Sequence, residues 1–127
     1  MSTRCQIGFY QNLHAPLAKP NAIIYRHSDG YPDTEHGVID TIVPLLRKHK
    51  ALREFWDAEY IAAYCLARWL DDPQCCLGYG VTQRLHSDID YYYAVYEQYI
   101  VVYTAHYLSM VAKITFDDLE EHSKVGW

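Results

Sequence analysis

The chain reads as an α+β protein: one sheet of about five strands, antiparallel or mixed, with two helices on one face in the order ββααβββ. Three observations predict it. Short β-branched and aromatic runs open the chain, helical apolar spacing occupies its middle, and tyrosine-rich alternation fills its last third. At 127 residues it suits a single domain, 1–127, with a core of its own.

The first strand is expected at Gln6 to Gln11 and the second at Ala22 to His27, joined by a loop from Asn12 to Asn21 that holds two prolines. Ser28-Asp29-Gly30 and Tyr31-Pro32 end the second strand, since a residue before proline avoids the helical region. Val38, Ile39, Ile42, Val43, Leu45 and Leu46 then follow helical spacing, and Arg47, Lys48 and Lys50 place cations at the C-terminal end. Pro44 interrupts that pattern. Either Asp40 caps a helix with Pro44 in its first turn, or the helix starts near Asp33 and kinks; a bent or broken helix is expected. A second helix is expected from Asp57, its cap, to Leu70, with Asp71-Asp72-Pro73 as the stop.

Three strands should follow, at Cys76 to Gln83, Asp88 to Tyr96 and Tyr99 to Leu108. With Glu97-Gln98 as a hairpin tip, Tyr96 opposes Tyr99. Ile89, Tyr91, Tyr93, Val95, Ile100, Val102, Thr104 and His106 then share one face, and Asp90, Tyr92, Ala94, Tyr96, Tyr99, Val101, Tyr103 and Ala105 share the other. Residues 113–127 are read as a loosely packed acidic tail or short helix.

Composition narrows the function classes. The formal charge is −5, and the one basic cluster, Arg47-Lys48-His49-Lys50, belongs to a helix end. Nonspecific nucleic-acid binding by a basic surface is therefore not expected. Residues 1–6 lack an apolar signal region, and no segment is long and apolar enough to span a bilayer, so a cytoplasmic protein without membrane contact is expected. Cys5, Cys65, Cys75 and Cys76 have no framework-like spacing and read as free thiols. Thirteen tyrosines against three phenylalanines favour half-buried faces and interfaces over a dry core.

Two constellations carry chemistry. Arg26, His27, Asp29 and Tyr31 crowd a turn that needs only Asp-Gly for its conformation. Arg26 would offer a fork of donors to phosphate or carboxylate, and Asp29 would orient His27 as an acid–base group. Alternatively, Asp29 bonds to its own turn while His27 and Tyr31 cover the sheet end and Arg26 is solvated. His86-Ser87-Asp88 repeats the same chemistry. Were both strand ends to meet, His27, Asp29, His86 and Asp88 would converge on a ligand; with no HxxxH, HExxH or paired CxxC spacing, no metal or other cofactor is expected. The second constellation is the ribbon of Tyr92, Tyr96, Tyr99 and Tyr103, a candidate face for a protein partner or a homodimer. Against this, tyrosine is also simply a good strand former.

Tyr25-Arg26-His27-Ser28-Asp29-Gly30-Tyr31-Pro32 resembles the hallmark of a family of small uncharacterised bacterial and phage proteins: an aromatic, His, usually Trp, then Asp-Gly-Tyr-Pro, followed by an apolar helix. Val38 to Arg47 and His86 to Tyr91 are similar to that family's later segments. Ser28 stands where Trp is usual, so no stacking role carries over there. The resemblance implies no activity. It implies a phage or mobile-element setting, and hence a small non-enzymatic inhibitor or counter-defence protein, such as an anti-CRISPR-like inhibitor, acting on a host or defence protein. The alternative from the residues is a small-molecule or nucleotide-binding protein or hydrolase at the His27/Asp29 and His86/Asp88 corner.

Overall fold

The computed structural model describes residues 3–27, 30, 37–52, 55–71, 78–104 and 110–115. Its elements are β1 (Cys5–Phe9), β2 (Ala22–Arg26), α1 (Val38–Leu52), α2 (Ala58–Leu70), β3 (Tyr79–Thr82), β4 (Tyr91–Val95), β5 (Tyr99–Thr104) and β6 (Met110–Thr115). The strands form one sheet in the order β3-β2-β1-β4-β5-β6.

The α+β class and the two helices agree with expectation, while the sheet is six-stranded and mixed. The added strand is β6, which takes in residues 113–115 of the segment expected to form a tail or short helix. Its apolar residues Met110, Val111, Ala112 and Ile114 do not alternate, so no period-2 pattern marks it; β5 supplies the edge on which it pairs. The second difference is at the centre, where β1 and β4 run parallel from Cys5↔Tyr91 to Phe9↔Val95. A parallel pair cannot be closed by a hairpin, and here β2, both helices and β3 intervene.

The helices follow their local signals. Asp57 caps α2 by accepting the Tyr60 N–H at 3.1 Å, and the helix ends at Leu70, before the Asp71-Asp72-Pro73 stop. The expected break in α1 is not seen: the helix starts at Val38 and continues through Pro44, which faces solvent. Its buried stripe of Val38, Ile39, Ile42, Val43 and Leu46 joins Ile61, Ala62, Cys65 and Trp69 of α2 over Cys5, Ile7, Phe9, Tyr93, Val95, Ile100 and Val102 of the sheet. The hairpin register holds as read, with Tyr96 donating its N–H to the Tyr99 carbonyl at 2.9 Å. β4, however, begins only at Tyr91, so Ile89 leaves the face expected of it and packs with Tyr92.

The opposite face is also covered. Tyr10, Tyr92, Ala94, Tyr96 and Val101 are buried there beneath Ala15 and Leu17 of the first connection and Leu85 and Ile89 of the loop before β4. The Tyr10 hydroxyl donates to the Leu17 carbonyl, which leaves the Tyr92 hydroxyl to donate to Tyr10. Gly8 creates the space for this. A Cβ there would stand 1.8 Å from the Tyr92 hydroxyl oxygen and 2.8 Å from its ring carbon. Gly8→Ala is expected to cost about 1–3 kcal/mol through overpacking, and Tyr92→Phe in that background should recover part of the loss. Urea unfolding of the two single variants and the double variant measures the coupling; strict additivity would contradict this role for Gly8.

Candidate functional site

Alternation along β2 decides which residues of the first constellation meet. Ala22, Ile24 and Arg26 point to the helices, whereas Ile23 and Tyr25 point to the other face, with His27 continuing beyond the strand. Arg26 is therefore buried away from His27. Its guanidinium donates to Thr41 Oγ1 at 3.3 Å and lies 5.7 Å from the Tyr79 ring centroid. That removes Arg26 from the ligand corner expected of it.

His27 and His86 do converge, and Tyr25 is the element between them. The Tyr25 hydroxyl is 3.0 Å from His27 Nδ1, and its ring lies 5.8 Å from that of His86. His86 Nδ1 is 3.9 Å from Asp88 Oδ1, and Arg4 reaches Asp88 Oδ2 at 3.2 Å. The Arg4 backbone N–H donates to Asp90 at 2.9 Å, while the Asp90 N–H donates to the Arg4 carbonyl at 2.8 Å. Partial burial raises the Tyr25 phenol above its ordinary value.

One buried amide sets this corner. Gln6, fully enclosed in the central strand, donates to Thr82 Oγ1 at 2.8 Å and the Arg84 carbonyl at 3.0 Å, and accepts the His86 N–H at 2.7 Å. Each polar atom of the side chain is used, so its burial is compensated. Gly30 packs against the start of β1: its N–H donates to the Thr3 carbonyl at 3.0 Å and its carbonyl accepts the Tyr93 hydroxyl at 2.6 Å. Asp29 and Tyr31 lie outside the described residues. Among the described residues no group of three or more His, Cys, Asp or Glu is placed to hold a metal ion.

The tyrosine ribbon is a smaller surface than the sequence implies. Tyr92 is fully buried and Tyr96 is 8% exposed, because the connections above cover them. Tyr99 and Tyr103 remain half-buried, with the Lys113 ammonium 4.3 Å above the Tyr99 ring. A surface that sequence reasoning missed lies at the opposite edge. Ala22, Ile23 and Ile24, with Val81 of β3 and Glu59, Ala62, Ala63 and Leu66 of α2, line an apolar groove of about 220 Å³. The signal for it was the uncharged strand Tyr79-Gly80-Val81-Thr82 beside the small residues Ala62-Ala63. Arg4, Gln6, Tyr25 and Asp90 were likewise missed as parts of the corner, although Tyr25 shares alternation with His27.

No family profile matches the chain, no curated protein aligns with it, and no solved structure matches it. No described helix is long and apolar enough to cross a membrane.

Burial also shapes the titration of the ribbon. Desolvation, with Tyr103 and Tyr99 adding to it, pushes the Tyr96 phenol up to about 12 from 10.0. The folded state thus holds a neutral phenol that the unfolded chain ionises, so the stabilisation is complete below pH 10 and is lost as pH rises towards 12. The urea midpoint should fall more between about pH 9 and about pH 11 in the parent than in Tyr96→Phe, which keeps the ring stacked on Tyr10. Equal falls would contradict this.

Proposed function

We propose that this chain is a small non-enzymatic binding protein that acts through a protein partner. The single supporting observation is the outer edge of β3: Val81 is 73% exposed beside an apolar groove, at the end of the sheet. Exposed apolar surface next to an open strand is a common form of partner site. The partner face thus moves from the four-tyrosine ribbon to this edge, with Tyr99 and Tyr103 left as a secondary surface.

The resemblance at Tyr25 to Pro32 supports a phage or mobile-element accessory of the counter-defence type, working in the host cytoplasm on a host or defence protein. A photo-crosslinking amino acid placed at position 81, and separately at position 103, should yield a discrete adduct in expressing host cells. Position 81 should give the stronger band. Absence of any adduct at both positions would remove the partner-binding function, and an adduct at the mass of two chains would assign the edge to a homodimer.

A second function class has its own observation, the meeting of His27 and His86 on Tyr25 with Asp88 and Arg4 alongside. Two imidazoles and a guanidinium at one corner suit a small anion such as a phosphate or nucleotide. A saturating nucleotide at 100 times its Kd would stabilise the fold by about 2.7 kcal/mol. The melting temperature should therefore rise with a nucleotide panel in the parent and not in His27→Ala. No shift in the parent, or an equal shift in both, excludes this corner as a ligand site.

A further inference from the structure

Among the described residues, the two edges of the sheet are built differently. At the β6 edge, Lys113 stands on the strand and the β5–β6 register shifts between Val102 and Tyr103. A cation and a bulge are devices that discourage a further strand from pairing. At the β3 edge, Tyr79-Gly80-Val81-Thr82 carries no charge and pairs in unbroken antiparallel register with β2 from Arg26↔Tyr79 to Ile23↔Thr82.

That register also gives the direction of the backbone groups. His27 N–H donates to the Gly78 carbonyl at 2.8 Å, which makes His27 and Gly78 a hydrogen-bonded pair. Alternation then turns the Gly80 and Thr82 groups towards β2 and the Val81 N–H and carbonyl outwards. The Val81 side chain, its backbone and the groove of Ile24, Ala62, Ala63 and Leu66 therefore face the same approach.

We propose that the β3 edge accepts an extended segment of a partner protein as an added strand, with alternate apolar side chains in the groove and a basic residue at Glu59. It rests on the protein-binding function proposed above and specifies its partner. Strand addition draws affinity from main-chain hydrogen bonds and selectivity from pockets for alternate side chains. Ala62 and Ala63 keep the helix surface low, so a β-branched or leucine side chain fits between α2 and β3. Among the described residues that line the groove, Glu59 alone carries a charge. Charge complementarity thus selects a basic segment.

The probe is a synthetic peptide alternating valine with lysine, compared with one alternating valine with glutamate and with the lysine peptide interrupted by proline. Amide spectra of the full chain should show saturable shifts at Val81 and Ala63. Exchange of the Val81 amide should slow by about tenfold or more at saturation. The glutamate peptide should bind at least about tenfold more weakly, and the proline peptide should not bind. Ala63→Trp, which fills the groove from an exposed helix position, should abolish binding, with an unchanged melting curve showing that the fold is intact. Val81→Lys should weaken the lysine peptide through like-charge repulsion and serves as the second variant. No perturbation at Val81 by the lysine peptide, or equal binding of the glutamate peptide, overturns the proposal. Protection of Val81 that grows with protein concentration alone would assign the edge to a second copy. Crosslinking to a partner from position 81 without any peptide effect would leave the protein-binding function standing and remove only strand addition.

Discussion

Burial of β1 on both faces is the constraint from which the remaining arrangement follows. All five of its residues are buried, with β2 antiparallel on one side and β4 parallel on the other. On the helix face, Cys5, Ile7 and Phe9 meet the apolar stripes of α1 and α2. On the other face, Gln6 and Gly8 precede Tyr10, and each has a specific task. Gln6 ties β1 to the connection carrying His86, Gly8 clears the Tyr92 hydroxyl, and Tyr10 stacks on Tyr96 at 4.9 Å. A buried amide and a buried phenol pair are stable only when their polar atoms are matched, and here the matching fixes the neighbouring loops.

The end of β1 shows the same economy. The Trp56 indole donates to the Tyr10 carbonyl at 2.9 Å, Gln11 donates to the Trp56 carbonyl at 2.8 Å, and the Ala58 N–H donates to Gln11 Oε1 at 2.8 Å. One side chain thus satisfies an N-terminal amide of α2 and docks that helix on the central strand. The groove beside β3 depends on this placement, because α2 forms its floor. Among the described residues the two thiols are inert: burial pushes Cys5 up to about 12 and raises Cys65 as well, so both behave as small apolar side chains.

Legibility differed by element. Asp57 and Asp71-Asp72-Pro73 bound α2 because caps and stops act within one turn of backbone. The Tyr96–Tyr99 register was legible because a two-residue tip leaves one pairing that keeps both faces consistent. Pro44 misled, since its ring projects into solvent and the rest of the helix is held by packing. Among candidate site residues, His27 and His86 each border Tyr25 and Asp88 lies beside His86, while Asp29 is outside the described residues. Arg26 was misplaced by disregarding strand parity, which the residues Ala22 to His27 already carried. Tyr92 and Tyr96 were misplaced because nothing local says that residues 10–21 and 83–90 fold over them.

Composition and local pattern alone determined the α+β class, both helices, the cap of α2 and the two-faced hairpin, since each rests on interactions within a few residues. The parallel contact of β1 with β4, the covering of the tyrosines, the burial of Arg26 and the groove along β3 were decided only by the tertiary structure. These depend on which distant segments share a surface, a choice made by the packing of the whole sheet and not by any single run of residues.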